Sequence, residues 1–193
     1  MIERITQDNC IGPARYGHEF RYRLAAGFIE RGDAVLDAAC GTGYGYQVLR
    51  DLGSLSLGDY IGVDRLPKEE VEIPFSRTDL HRTIAILVGM GVEYLDEDLT
   101  TWFPSWDFDV FLGFETIEHL LNYRNYIDIA HQAGKWVILS TPVVPTLHLN
   151  PHHVHDFASG DLQKLFEDEE WEHYQTVQQP SELSEITILR RRT

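Results

Sequence analysis

At 193 residues, with 43% hydrophobic and 11% aromatic side chains, the chain has the length of one domain and enough apolar content to bury a core; a chain of this size hides roughly 70% of its unfolded surface. A formal charge of −15 disfavours nucleic acid as a ligand, because a protein that grips phosphates needs a basic surface. No apolar run approaches a membrane span, the N-terminus lacks the basic flank and apolar core of a signal peptide, and Cys10 and Cys40 form no metal or redox spacing, so a cytoplasmic protein is expected, without a membrane partner and working as a monomer or homodimer.

In chain order, residues 1–14 are mixed and polar, and Gly12-Pro13 reads as a breaker, so a loosely ordered lead-in is expected ahead of a single domain over 15–193. Phe20, Leu24 and Phe28, with Tyr16 and Ala25 offset by one, predict a helix from Arg15 to Arg31 that stops at Gly32-Asp33. Arg21 and Arg23 form a local basic patch, and Arg190-Arg191-Arg192 reads as a solvated tail. Val35 and Leu36 end an apolar run that reads as a buried strand, and Gly41-Thr42-Gly43-Tyr44-Gly45 is a turn where backbone can approach a ligand. The helix Tyr44 to Leu52 follows, with Val48, Leu49 and Leu52 on its apolar face and the N–H groups of its first turn directed over the glycines.

Beyond it, Asp59 to Asp64 reads as a second strand ending in an acid, Arg65 to Arg77 as a proline-containing loop, and Thr78 to Met90 as a helix stopped by Gly91. Val92 to Asp98 alternates as a third strand. Phe108 to Gly113 is nearly continuous in apolar residues and reads as a central strand covered on both faces. A helix from Asn125 to Gly134 leads to a fifth strand, Lys135 to Thr141, closed by Pro142. The stretch Pro142 to Asp156 carries His148, His152, His153 and His155. A further helix starts near Ser159, placed to cap it, and Trp171 to Gln178 with Glu185 to Arg190 alternate like a closing antiparallel pair.

The glycine turn narrows the choice of ligand. A dinucleotide fingerprint G-x-G-x-x-G, counted from Gly41 and Gly43, needs glycine where Tyr46 stands, which argues against a nicotinamide oxidoreductase. A phosphate loop of the G-x-x-x-x-G-K-[ST] type needs a lysine, and none lies between Met1 and Leu66. What stands there instead, Asp37-x-x-Cys40-Gly41-x-Gly43-x-Gly45, resembles motif I of the class I S-adenosylmethionine (SAM) dependent methyltransferases. The residue types suit that cofactor, since SAM carries an ammonium and a sulfonium that favour a nearby carboxylate such as Asp37.

The resemblance extends over nearly the whole chain from His18 on, and the small single-domain members of the family are the nearest in kind. It implies an α/β fold, a doubly wound Rossmann-like sheet of seven mostly parallel strands with a C-terminal antiparallel hairpin. It also implies cofactor contacts. His18-Glu-Phe-Arg-Tyr22 is similar to a segment that covers the amino-acid end of SAM, with core packing of Tyr22 and Phe20 as the competing role. Ala39, Gly41, Thr42, Gly43 and Tyr44 would form the turn against the cofactor. Asp64, followed by Arg65, would accept the ribose hydroxyls, as a bidentate acceptor suits a vicinal diol. Asp98 and Leu99 would hold adenine, with Asp96 as the rival acid. Phe114 and Glu115 would border the methionine part.

Glu115-x-x-Glu118-His119-Leu120 and the histidine loop leave two readings open. In small-RNA 3′-terminal 2′-O-methyltransferases, two glutamates and two histidines hold a divalent metal at the terminal ribose; Glu115, Glu118, His119 and one of His152, His153 or His155 match that set by type, with His153 carried as the alternative ligand. In metal-free small-molecule methyltransferases, similar segments are structural or line the acceptor pocket, and Glu115, His119 and His153 are then the candidate catalytic bases. The acidic charge favours the second: a metal-independent enzyme that methylates O, N or C on a small molecule and releases S-adenosylhomocysteine (SAH). A non-catalytic SAM-fold partner protein is the remaining alternative.

Overall fold

The computed structural model describes residues 12–54, 60–65, 88–90, 92–180 and 183–193. Among them a seven-stranded sheet holds β1 (Val35–Ala38), β2 (Tyr60–Asp64), β3 (Glu93–Asp96), β4 (Val110–Phe114), β5 (Trp136–Pro142), β6 (Trp171–Gln178) and β7 (Ser184–Arg191), in the order β3-β2-β1-β4-β5-β7-β6. Strands β1 to β5 are mutually parallel, and β7 inserts antiparallel between β5 and β6. From β1 the chain builds outward to β3, then returns to the other side of β1 as β4. The carboxyl ends of β1 and β4 therefore part at a topological switch point, where open α/β sheets place their ligands.

Period-two alternation divides the core between the two faces of the sheet. Leu36, Ala38, Phe111, Val137, Leu139 and Leu189 face one layer, which holds α3 (Arg124–Ala130) and α4 (Asp161–Lys164). Val35, Val110, Leu112, Ile138 and Ile188 face the other, which holds α1 (Gly12–Ala25) and α2 (Tyr44–Asp51). Asp37 shares the parity of Val35, so its carboxylate projects into the α1/α2 layer.

Several boundaries differ from expectation for identifiable reasons. Gly12-Pro13 opens α1 rather than breaking the chain, because a proline in a first helical turn forfeits an N–H that has no intrahelical partner anyway. The helix ends at Ala25 and tightens into a 3-10 turn over Ala26–Phe28, short of Arg31. Ser159 caps nothing: its hydroxyl donates to Glu185 at 2.8 Å, and Gly160 at φ 81 precedes a single-turn helix. The terminal arginines are not a solvated tail. Arg190 pairs with Glu172, Arg191 with Glu170, and Arg192 donates to the Trp171 carbonyl, so they hold β6 to β7. The expected loop 66–77, most of the helix 78–90 and the lead-in before residue 12 lie outside the described residues.

Candidate active site

The turn after β1 is shaped by backbone that side chains rarely tolerate. Ala39 (φ 66), Gly41 (φ 62) and Gly43 (φ 75) all take left-handed conformations, and Gly43 is the N-cap of α2. A Cβ on Gly41 would meet no atom within 4 Å, so the space over this glycine is open to a ligand. Gly45 serves packing instead, because its Cβ would fall 2.2 Å from the ring of Tyr22. A second strained residue, Glu115 at φ 49, stands at the carboxyl end of β4 across the switch point.

These strand ends border a cavity of about 1120 Å³. Drug-sized ligands occupy pockets of roughly 300–1,000 Å³, so there is room for a cofactor and a small second ligand together. Of the expected cofactor residues, Tyr22, Ala39, Gly41, Thr42, Tyr44, Asp64, Arg65, Asp98, Leu99, Phe114 and Glu115 line it. Asp37 and Gly43 do not. Asp37 sits behind the wall, 1% exposed, with its Oδ2 accepting the phenol of Tyr22 at 2.9 Å and that of Tyr60. Tyr22 stands between Asp37 and the cavity, held edge-on by Tyr44 and Phe114. Burial pushes the Asp37 carboxyl up to about 7 although the two phenols pull it down, and nearby Asp64 adds to the rise.

At the other side of the turn Asp64 is fixed by backbone, with Gly41 N–H on Oδ2 at 2.7 Å and Arg65 N–H on Oδ1 at 2.6 Å. A carboxylate oxygen can accept from more than one donor, which is the requirement for a diol. Asp98, rather than Asp96, reaches the cavity. Its Oδ1 accepts the Thr100 backbone N–H and hydroxyl, and its Oδ2 accepts Arg65 at 3.0 Å. Asn125 fastens the following turn through the carbonyls of Leu99 and Trp102.

Glu115 is tied down more firmly than a candidate base should be. Ser140 donates to one oxygen at 2.7 Å, Ser184 to the other at 2.9 Å, and Arg21 lies 3.7 Å away. Arg21 is thus no surface patch: it is 2% exposed, donates to Gln179 at 2.7 Å, and lines the cavity. Arg21, Ser140 and Ser184 escaped the sequence reading, because nothing in chain order links α1, β5 and β7 to Glu115. His18 also lines the cavity, its pKa lowered to about 3 by burial and by Arg21.

The metal-type set splits. Glu118, His119 and His153 converge, with ligand atoms within 4.8 Å of one another, whereas Glu115 belongs to the hydroxyl and arginine network. Thr141 donates to Glu118 Oε2 at 3.1 Å, while Oε1 is buried with no hydrogen-bond partner. Burial and the neighbouring Glu115 push the Glu118 carboxyl well above its ordinary range. His119 Nδ1 meets the His152 carbonyl at 3.1 Å, so Nδ1 carries the proton and Nε2 is the basic nitrogen. His153 Nδ1 pairs with the Thr146 hydroxyl at 2.6 Å, and its ring stands edge-on to His119. His155 bonds the Leu120 carbonyl at 3.0 Å and is structural. Among the described residues the wall carries five acidic side chains, Asp64, Glu97, Asp98, Glu115 and Glu118, against Arg21 and Arg65.

The profile of the methyltransferase domain family matches residues 13–186. The chain belongs to the class I SAM-dependent methyltransferases. It is 27% identical over 161 residues to a probable S-adenosylmethionine-dependent methyltransferase of Mycolicibacterium smegmatis, an alignment that takes in 78% of this chain and 56% of the relative, so the chain spans little more than half the length of that protein. The chain superposes on a chain of the complex between the Haloferax volcanii Trm112 methyltransferase activator and a methyltransferase, with a TM-score of 0.70, 13% identity, and 93% and 91% of the two chains covered. Against magnesium protoporphyrin IX methyltransferase from Synechocystis, solved with bound SAM, the TM-score is 0.65 at 17% identity, covering 92% and 81%. Ribosomal RNA methylases also share the fold, so the fold alone does not choose an acceptor. No helix among the described residues is long and apolar enough to cross a membrane.

Proposed function

We propose that this methyltransferase moves the methyl group of SAM to an O, N or C atom of a small-molecule acceptor and releases SAH. The observation that carries the reading is one continuous cavity running from Asp64 and Asp98, past Phe114, to His119 and His153. SAM, when bound, would supply an electrophilic methyl carbon and, on transfer, a neutral thioether leaving group, SAH. The fit rests on the open space over Gly41 and on the backbone-fixed Asp64 carboxylate, which accepts both ribose hydroxyls. Asp98 and Leu99 take adenine, and Tyr22, Phe114 and Glu115 border the methionine part. Alignment and exclusion of water are the main contributions of the wall.

His119 is the general base: the His152 carbonyl holds the proton on Nδ1, so Nε2 is the ring nitrogen that takes the acceptor's proton. His153 assists from the edge of the His119 ring. Glu115, with Ser140, Ser184 and Arg21 on its oxygens, acts by position and charge. A panel of phenols, amines and carboxylic acids, read by SAH release, should yield turnover that His119→Ala lowers by about a hundredfold or more. Full turnover in His119→Ala, His153→Ala and Glu115→Ala alike would sink the base assignment.

A second reading is kept alive by Glu118, His119 and His153, whose buried, unpartnered Glu118 Oε1 suits a divalent cation. These three residues would hold the ion, which would polarise an acceptor oxygen. Titrating chelator-treated protein with Mn²⁺ separates the readings. Saturable heat that is lost in His153→Ala supports the metal-dependent version, and its absence supports the metal-free one.

A further inference from the structure

We propose that the acceptor of this methyltransferase is a small amphiphile, uncharged or cationic, whose apolar body lies on Leu121, Leu149 and Leu183 while its nucleophilic hydroxyl or amine reaches His119. The inference rests on the methyl-transfer reading above and adds the chemical class of the second substrate. The three leucines are 82%, 71% and 66% exposed, yet all three line the same cavity as the histidines. They come from separate segments: the turn after β4, the loop after β5, and the residue before β7. A single exposed leucine is ordinary on any surface, but three that line one cavity from distant parts of the chain point to an apolar subsite.

Charge selects within that class. Among the described residues the wall carries more acidic than basic side chains, and its two arginines are engaged, Arg21 with Gln179 and Glu115 and Arg65 with Asp98. A phosphorylated or otherwise anionic acceptor would enter against that field, with both arginines of the described wall already holding carboxylates. Neutral and cationic bodies meet no such barrier, and the amine forms are favoured by it. Apolar contact then supplies affinity in proportion to the alkyl area covered.

The test is calorimetry on the full chain. SAH is titrated first; then, at saturating SAH, para-alkylphenols and para-alkylbenzylamines from ethyl to pentyl are titrated, with para-alkylphenyl phosphates of the same bodies as the anionic series. Each added methylene should tighten the phenols and amines by about fourfold until the subsite is filled, a methylene being worth about 0.8 kcal/mol. The phosphates should bind at least tenfold more weakly at every length. Combined Leu121→Asp, Leu149→Asp and Leu183→Asp should abolish the dependence on chain length, and the corresponding triple alanine variant should make it shallower. Leu52→Asp, at an exposed position at the end of α2 outside the cavity, should keep it. Affinity that is flat along the series, or phosphates that bind as tightly as phenols, would overturn the acceptor class while leaving methyl transfer intact. Failure to bind SAH at all would overturn the methyl-transfer reading and this inference with it.

Discussion

Asp37→Asn should remove a fall in stability that the unmodified protein shows as pH rises from about 5 to about 7.5. Asp37 is buried with its carboxyl raised from 3.8 to about 7, so between those values the folded state holds a proton that the unfolded state has released. Stability therefore decreases with rising pH through that window, by up to 1.36 kcal/mol per pH unit and by about 4 kcal/mol over the whole of it. Below pH 3.8 both states are protonated and above 7 both are ionised, so the contribution levels off at either end. Asparagine keeps an oxygen for the phenols of Tyr22 and Tyr60 and cannot ionise. Urea unfolding at half-unit steps from about pH 5 to 8, fitted with a common denaturant slope, gives the two stability curves. Their difference isolates Asp37 from the other groups that titrate in the same range, Glu118 among them. Tyr60→Phe removes a hydrogen bond that favours the anion, so it should carry the midpoint above that of the unmodified protein. Parallel curves for Asp37→Asn and the unmodified protein would refute the argument.

Gly113→Ala places a Cβ 1.8 Å from the Tyr126 hydroxyl and 2.9 Å from a Leu139 methyl. It should cost about 1–3 kcal/mol in urea unfolding, and Tyr126→Phe in the same chain should restore part of the loss; simple additivity would contradict the stated clash. Arg21→Met leaves Glu115 and Gln179 without their buried cation, so a loss of about 3 kcal/mol is expected from thermal or urea unfolding, against less than about 1 kcal/mol for exposed Arg23→Met. Equal costs at the two positions would show that Arg21 is not the buried partner described. Gly45→Ala should displace Tyr22 and weaken SAH, read by calorimetry, whereas unchanged affinity would remove Tyr22 from the cofactor wall.

Much of the fold was legible because its strands are short, apolar and punctuated. β1, β4 and β5 lie within a residue or two of their expected ends, since buried parallel strands leave continuous apolar runs. Helix limits were less legible: α1 ends at Ala25 in a 3-10 turn over Ala26–Phe28, where the sequence carries no breaker before Gly32 other than Gly27. In the site, Asp64, Asp98, Leu99 and Phe114 reach the cavity because strand ends are fixed by local pattern. The phenol partners of Asp37 were not legible, because strand parity turns it toward Tyr22 and Tyr60, which lie far from it in sequence. Glu115 looked like a base because Arg21, Ser140 and Ser184, which occupy it, come from three distant elements. The same long-range assembly separates Glu115 from Glu118, His119 and His153, a division that their spacing alone does not reveal.

The central claim, a SAM site built on Asp64 and the glycine turn, is tested most directly by calorimetric titration of SAH into the unmodified protein and into Asp64→Ala. The account predicts one saturable site in the first. It predicts a loss of about tenfold to a hundredfold in the second, as expected when charge-assisted hydrogen bonds to the ribose are removed. No binding to the unmodified protein, or equal affinity in both, would contradict it.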